Sequence, residues 1–180
     1  MADRIEDRDT IPQYETFVSF LTRLPKNIMS VHQRDNVPEF VLYDLCSERG
    51  FNIPKAAYFI DNPDFNTFQG IAGYTRSEGY TGSETVWDDP ETFTLFMRSS
   101  PFNQKVRTLT RASGKFNGHR HEDMVEEIAR GLNITNPSFL SWDVKHYNHG
   151  LLVFERAGQK TWSDDYFEPT VHFLSFCPIR

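Results

Sequence analysis

ARGLNIT at residues 129–135 echoes ERGFNIP at residues 48–54, and whether that echo marks one plan used twice decides how the whole chain is read. The likeness extends past the phrase. Upstream, FLTRL (20–24) answers TLTRA (108–112). Downstream, QGIAGYTRSEG (69–79) answers HGLLVFERAGQ (149–159), setting Gly70 against Gly150, Tyr74 against Phe154 and Arg76 against Arg156. WDDPETFTLF (87–96) then answers WSDDYFEPTVHFLSF (162–176), so four blocks recur in one order. Self-similarity at a long period reads as a duplicated unit. The division is a charged N-terminal tail at 1–10, a first unit at 11–98 and a second at 101–180. The competing reading is that aromatic-rich segments align without common descent.

The second half spells its elements more openly. Ser100-Pro101 is a helix start, with Ser at the N-cap and Pro in the first turn, and Phe102, Val106 and Leu109 follow at helical spacing. That helix is expected to end before Gly114. Glu122 and Asp123 suit the first turn of a second helix, whose apolar stripe is Met124, Val125, Ile128, Ala129 and Leu132. Gly131 and Asn133 tolerate left-handed backbone and stop it, with Ile134 tucked inward. Asn136-Pro137 opens a third helix carrying Phe139, Leu140, Val144 and Tyr147, which His149-Gly150 ends. LLVFER and PTVHFLSF then read as the two strands of a hairpin.

The segment EEIARGLNITNPSFLSWDVKHYNHGLLVFER (126–156) resembles the winged helix-turn-helix family through Ile128, Ala129, Leu132, Ile134, Thr135, Ser138, Leu140, Ser141, Gly150 and Leu151. It departs from that pattern by placing Asn133 where the family usually has Gly and by a long, acidic wing containing SDDYFE. The first half follows the template through Phe17, Phe20, Leu21 and Leu24 in a first helix, then Pro38 opening a second with Val41, Leu42 and Leu45. RGFNIP is its turn and KAAYFID its third helix, although KAAYFID alone reads equally well as a strand. The Gly-rich run from Gly70 to Gly82, followed by ETFTLFM, supplies an elongated wing. The resemblance implies an α+β, mainly helical fold: two winged helix-turn-helix units in tandem, each of three helices plus a β-hairpin wing.

A winged helix commonly lays its third helix in the DNA major groove. The resemblance therefore implies a nucleic-acid-binding, transcription-regulator-like protein acting on double-stranded DNA. Ser138, Ser141, Lys145 and His149 would face the groove, with Arg156 and Lys160 flanking the wing tip. Charge divides the halves: residues 1–100 hold 9 Lys+Arg against 16 Asp+Glu, and residues 101–180 hold 10 against 9. Because nonspecific affinity comes from neutralising phosphates, the acidic first unit is expected to bind a protein partner or mediate a homodimer instead. The alternative is a protein–protein interaction scaffold of tandem winged helices that does not bind DNA.

No apolar run approaches the roughly 20 residues of a membrane span, and the N-terminus MADRIEDRDT is charged throughout. An intracellular chain, cytoplasmic or nuclear, with no membrane partner is expected. Cys46 and Cys177 lie in apolar runs and read as buried free thiols. No P-loop, GxSxG elbow or EF-hand spacing occurs, so neither an enzyme nor a cofactor is expected. A third reading is a histidine-based metal-binding protein or hydrolase. The metal ligands would be His119, His121, His146 and His149, and only if the ends that carry them converge. Trp87 and Trp162 precede the last strand of each unit and read as core packing.

Overall fold

KAAYFIDN (55–62), evenly balanced between helix and strand by its letters, is the central strand of the molecule. Residues 56–61 are all buried, because both faces of this strand are covered, and a strand covered twice reads as a continuous apolar run instead of an alternation. The computed structural model describes residues 10–31, 33–83, 85–113, 121–156 and 164–177. In chain order the elements are α1 (Thr10–Ser30), α2 (Val37–Cys46), β1 (Lys55–Asn62), β2 (Thr67–Thr75), α3 (Pro90–Ser99), α4 (Pro101–Arg107), β3 (Thr110–Arg111), α5 (His121–Leu132), β4 (Pro137–Asp143), β5 (His149–Glu155) and α6 (Asp164–Val171). Short 3-10 turns lie at Arg76–Glu78 and His172–Phe176.

The strands form one five-stranded antiparallel sheet in the order β3-β2-β1-β5-β4. Tyr58 of β1 lies opposite Ala72 of β2 and Leu152 of β5, and Phe59 lies opposite Leu151. Each strand thus sends successive side chains to opposite faces. One face carries Tyr58, Ile60, Tyr74, Leu152 and Phe154 beneath α1, α2, α3 and α6. The other carries Phe59, Phe68, Leu151 and Val153 beneath α4 and α5. The result is a three-layer sandwich of helices, sheet and helices.

This arrangement overturns the expectation of two winged helix-turn-helix units, each with its own small wing, since one sheet takes strands from both sides of the expected boundary. The third helix of the second unit is strand β4. Pro137 opens that strand, a position where its missing N–H costs no ladder bond, and Pro137 through Asp143 pair with Glu155 through His149. The third helix of the first unit is β1. His149-Gly150 does not end a helix but begins β5. ETFTLFM, expected in a wing strand, lies in α3, where the Asp89 side chain accepts from the Thr92 N–H at 3.2 Å and Pro90 occupies the first turn. PTVHFLSF closes α6 and forms the following 3-10 turn. In each of these segments the local pattern was short enough to satisfy both periods, and pairing with a distant strand or packing on the sheet decided between them.

Other local signals hold. Ser100 caps α4 by accepting from the Asn103 N–H, with Pro101 in the first turn. The stripe of α5 is buried at Val125, Ile128, Ala129 and Leu132. Both cysteines are free and buried, and burial pushes their thiols up, that of Cys177 to about 12. The glycines of GIAG serve packing: a Cβ at Gly70 would meet the Val106 carbonyl oxygen at 2.0 Å and one at Gly73 the Val106 side chain at 2.5 Å. They let α4 lie directly on β2. No helix among the described residues is long and apolar enough to cross a membrane.

Candidate functional site

The helix α2 is apolar nearly all round, and α1 and the sheet enclose most of it. Its last turns break that pattern with Tyr43 and Asp44, both partly exposed. An aspartate near a helix C-terminus faces the negative end of the helix dipole, so Asp44 is in a place that local energetics disfavour. Its carboxylate Oδ2 accepts a hydrogen bond from Trp87 Nε1 at 2.8 Å. Trp87 is positioned by its N–H donating to Thr85 Oγ1 at 3.2 Å and by its ring packing on Phe40, centroids 5.1 Å apart. Tyr43 meets Tyr74 and Tyr80 edge to face, at 5.2 and 5.9 Å.

Around these groups opens a cleft of about 490 Å³, walled by the aromatic rings of Tyr43, Tyr74, Tyr80 and Trp87 and bordered by Arg23 of α1 and Arg49 beyond α2. Its size lies in the range of small-molecule sites, roughly 300–1,000 Å³. The chain enters this region from β2 through the Arg76–Glu78 turn, and Gly79, with φ of 56°, bends the backbone into the following loop, which carries Tyr80 and Trp87. Arg76 is tied to Glu48 at 2.8 Å and to the Asn52 side chain. Arg23 and Arg49 are exposed and form no ion pair with a described residue.

Burial among the rings pushes the Asp44 carboxyl up to about 6, against the opposing pull of the Trp87 hydrogen bond and of the Arg23 and Arg49 guanidiniums. Burial also raises Tyr43, and the neighbouring Asp44 charge adds to it. The Tyr80 hydroxyl is buried without a hydrogen-bond partner, an uncommon condition for a phenol in a folded chain. Ser47, the nearest aliphatic hydroxyl to Asp44 in sequence, is occupied by the end of α2: its Oγ donates to the Asp44 carbonyl at 2.8 Å and accepts from the Gly50 N–H at 3.1 Å. The cleft therefore presents a carboxyl pushed up to about 6, aromatic walls and two open guanidiniums, with the unpartnered Tyr80 hydroxyl buried behind them. These groups suit recognition more than bond breaking.

The residues expected to face DNA are scattered. Ser138 and Ser141 lie on β4 three positions apart, so they point to opposite sides of the sheet. Lys145 is exposed in the β4–β5 connection, while Arg156, also exposed, follows β5 and donates its N–H to the Asn136 carbonyl at the other end of β4. Lys160 lies outside the described residues. His149 begins β5, hydrogen-bonds Asp143 through Nδ1 at 2.8 Å, and faces the fully buried Asp61 across the ladder. With residues 137–143 in a strand, no helix carries this set of residues toward a groove.

The histidine expectation fares in parts. His119 lies outside the described residues, as does the side chain of His121, which begins α5. His146 is exposed in the β4–β5 turn with φ of 62°. Among the described residues no group of three or more His, Cys, Asp and Glu could hold a metal ion. Trp162 is also outside them. Trp87 packs as expected and, in addition, holds Asp44, a role that sequence reading missed. A signal existed in DLCSERG: an acid in the last turn of a helix that is apolar apart from Tyr43 and, in its first turn, Glu39.

No family model matches this chain, and neither a curated protein nor a solved structure does.

Proposed function

We propose that this chain is a small-molecule-binding domain whose ligand is a planar, nitrogen-bearing ring with an anionic substituent. The observation that carries this reading is Asp44, kept in an aromatic cleft by Trp87 although both burial and the helix end oppose its charge. A carboxylate so placed is a strong acceptor for a ring N–H, because a charge-assisted hydrogen bond gains strength where water is excluded. Tyr43, Tyr80 and Trp87 each retain exposed surface against which a flat ring can lie. Arg23 and Arg49 at the border are free to meet the anionic group. Strongly shifted titratable groups in a cleft mark functional sites more often than chance.

Calorimetric titration with adenosine monophosphate, indole-3-acetate and succinate tests the proposal. Saturable binding of a ring compound but not of succinate is expected, weakened on the order of tenfold by Asp44→Asn. Binding should also weaken as pH falls below about 6, where Asp44 takes up its proton. Succinate binding as well as the ring compounds, or no ring compound binding at all, would sink it. Titrating arbitrary duplex DNA into the same sample tests the nucleic-acid expectation, and an affinity that falls steeply with salt would favour that reading instead.

A further inference from the structure

A larger cavity, of about 780 Å³, opens on a different side of α2, between the loop preceding that helix and helices α3 and α4. Three guanidiniums line it from three separate elements: Arg34 from the loop, Arg98 from the last turn of α3 and Arg107 from the last turn of α4. Its floor is a buried polar network. Glu39, 2% exposed, accepts from Asn103 Nδ2 at 2.8 Å, from Arg107 Nη1 at 3.0 Å and from Asn36 Nδ2 at 2.9 Å. Asn103, 1% exposed, in turn donates to the Met97 carbonyl at 2.9 Å and accepts from the Gly73 N–H at 2.9 Å.

Every member of that floor is satisfied, so it holds its neighbours in place and does not itself call for a ligand. The rim differs. Arg107 spends one N–H on Glu39 and Arg34 is tethered to Glu91, which leaves most of the five donors of each guanidinium unspent. Arg98 is exposed and forms no ion pair with a described residue. Tethered guanidiniums lose little freedom on meeting an anion, and their planar forks match oxyanions in pairs of hydrogen bonds.

We propose that this cavity binds a small polyvalent oxyanion, with Arg98 making the direct contact and Arg34 and Arg107 as flanking donors. Its volume of about 780 Å³ accommodates a molecule with two or three anionic groups, whether phosphates or carboxylates. The residues involved are separate from those of the aromatic cleft, so either site can fail without the other.

The test titrates inorganic tripolyphosphate, and in parallel citrate, into the full chain at low salt. Saturable binding of at least one is expected, and which one binds identifies the anion chemistry. Arg98→Ala should weaken it on the order of tenfold, whereas Arg156→Ala, an exposed arginine that does not line the cavity, should change it little. Arg98 is exposed, so its replacement leaves the core intact, and a thermal melt confirms that both variants are folded. No saturable binding of either anion would overturn the proposal, as would equal losses in the two variants, which would reduce the effect to diffuse charge.

Discussion

The two corners that share the phrase RG-x-N-I share a left-handed asparagine and serve opposite sides of the molecule. Each joins a helix to a strand: α2 to β1 through RGFNIP, and α5 to β4 through RGLNIT. Asn52 and Asn133 have φ of 52° and 53°, in the left-handed region that asparagine tolerates better than most side chains. The isoleucine that follows is buried in both, at 1% for Ile53 and 6% for Ile134. Yet α2 covers the Tyr58 face of the sheet and α5 the Phe59 face. The shared letters specify a local bend, and which face each helix takes is decided by where its apolar surface finds partners. The glycines differ as well. A Cβ on Gly50 would approach the Asp44 carbonyl oxygen to 2.2 Å, whereas one on Gly131, inside α5, would meet nothing within 4 Å.

That contrast can be broken experimentally, beginning where the two corners differ most. Gly50→Ala forces a methyl into rigid backbone and should cost about 3 kcal/mol in chemical denaturation; a loss under about 1 kcal/mol would mean the first corner yields as easily as the second. Next comes Asp44, which exists only at the first corner. Its folded carboxyl binds a proton more tightly than the unfolded chain does, so the stability contributed by protonation is complete below about 4 and lost as pH rises through about 6. Asp44→Asn, which can still accept from Trp87, should therefore gain on the order of 2 kcal/mol at pH 8, allowing for partial exposure, and nothing at pH 4. Denaturation curves at the two pH values check this, and an equal effect at both would remove the link to ionisation.

Smaller effects belong to the bends themselves. Asn133→Ala should cost about 1 kcal/mol through left-handed strain alone. Asn52→Ala should cost more, because its side chain also receives Arg76; equal losses in paired thermal melts would show that this bond contributes nothing. Gly131→Ala should gain roughly 0.5–1 kcal/mol, since alanine is the better helix former and space is free. A loss there would place a contact at the second corner that its geometry does not display.

Much of the local structure was legible. The amphipathic stripe of α5, the Ser100-Pro101 start of α4, the apolar spacing of α1 and the two asparagine bends rest on interactions within a few residues. The sheet was not legible, because KAAYFID and PSFLSWD are too short for their spacing to separate helix from strand. Their state is set by partners such as Leu152 for both Tyr58 and Leu140. Treating the recurring phrase as a helix-to-helix turn carried the error into everything that followed it. The aromatic cleft was hidden for a similar reason. Trp87 reaches Asp44 across 43 positions of sequence, and nothing in WDDP announces that partner.

The amino-acid sequence by itself determined where α4 starts, where α5 starts and stops, where the chain bends, and that a large aromatic core with buried thiols would form. These are decided by short-range sterics, capping and spacing. Only the tertiary structure decided that the apolar segments on either side of the midpoint pair into one sheet with both faces covered. It alone also brought Asp44 into a cleft with Tyr43, Tyr80 and Trp87. Strand pairing and cleft formation depend on which distant surfaces exclude water together, and that choice is made by the whole chain.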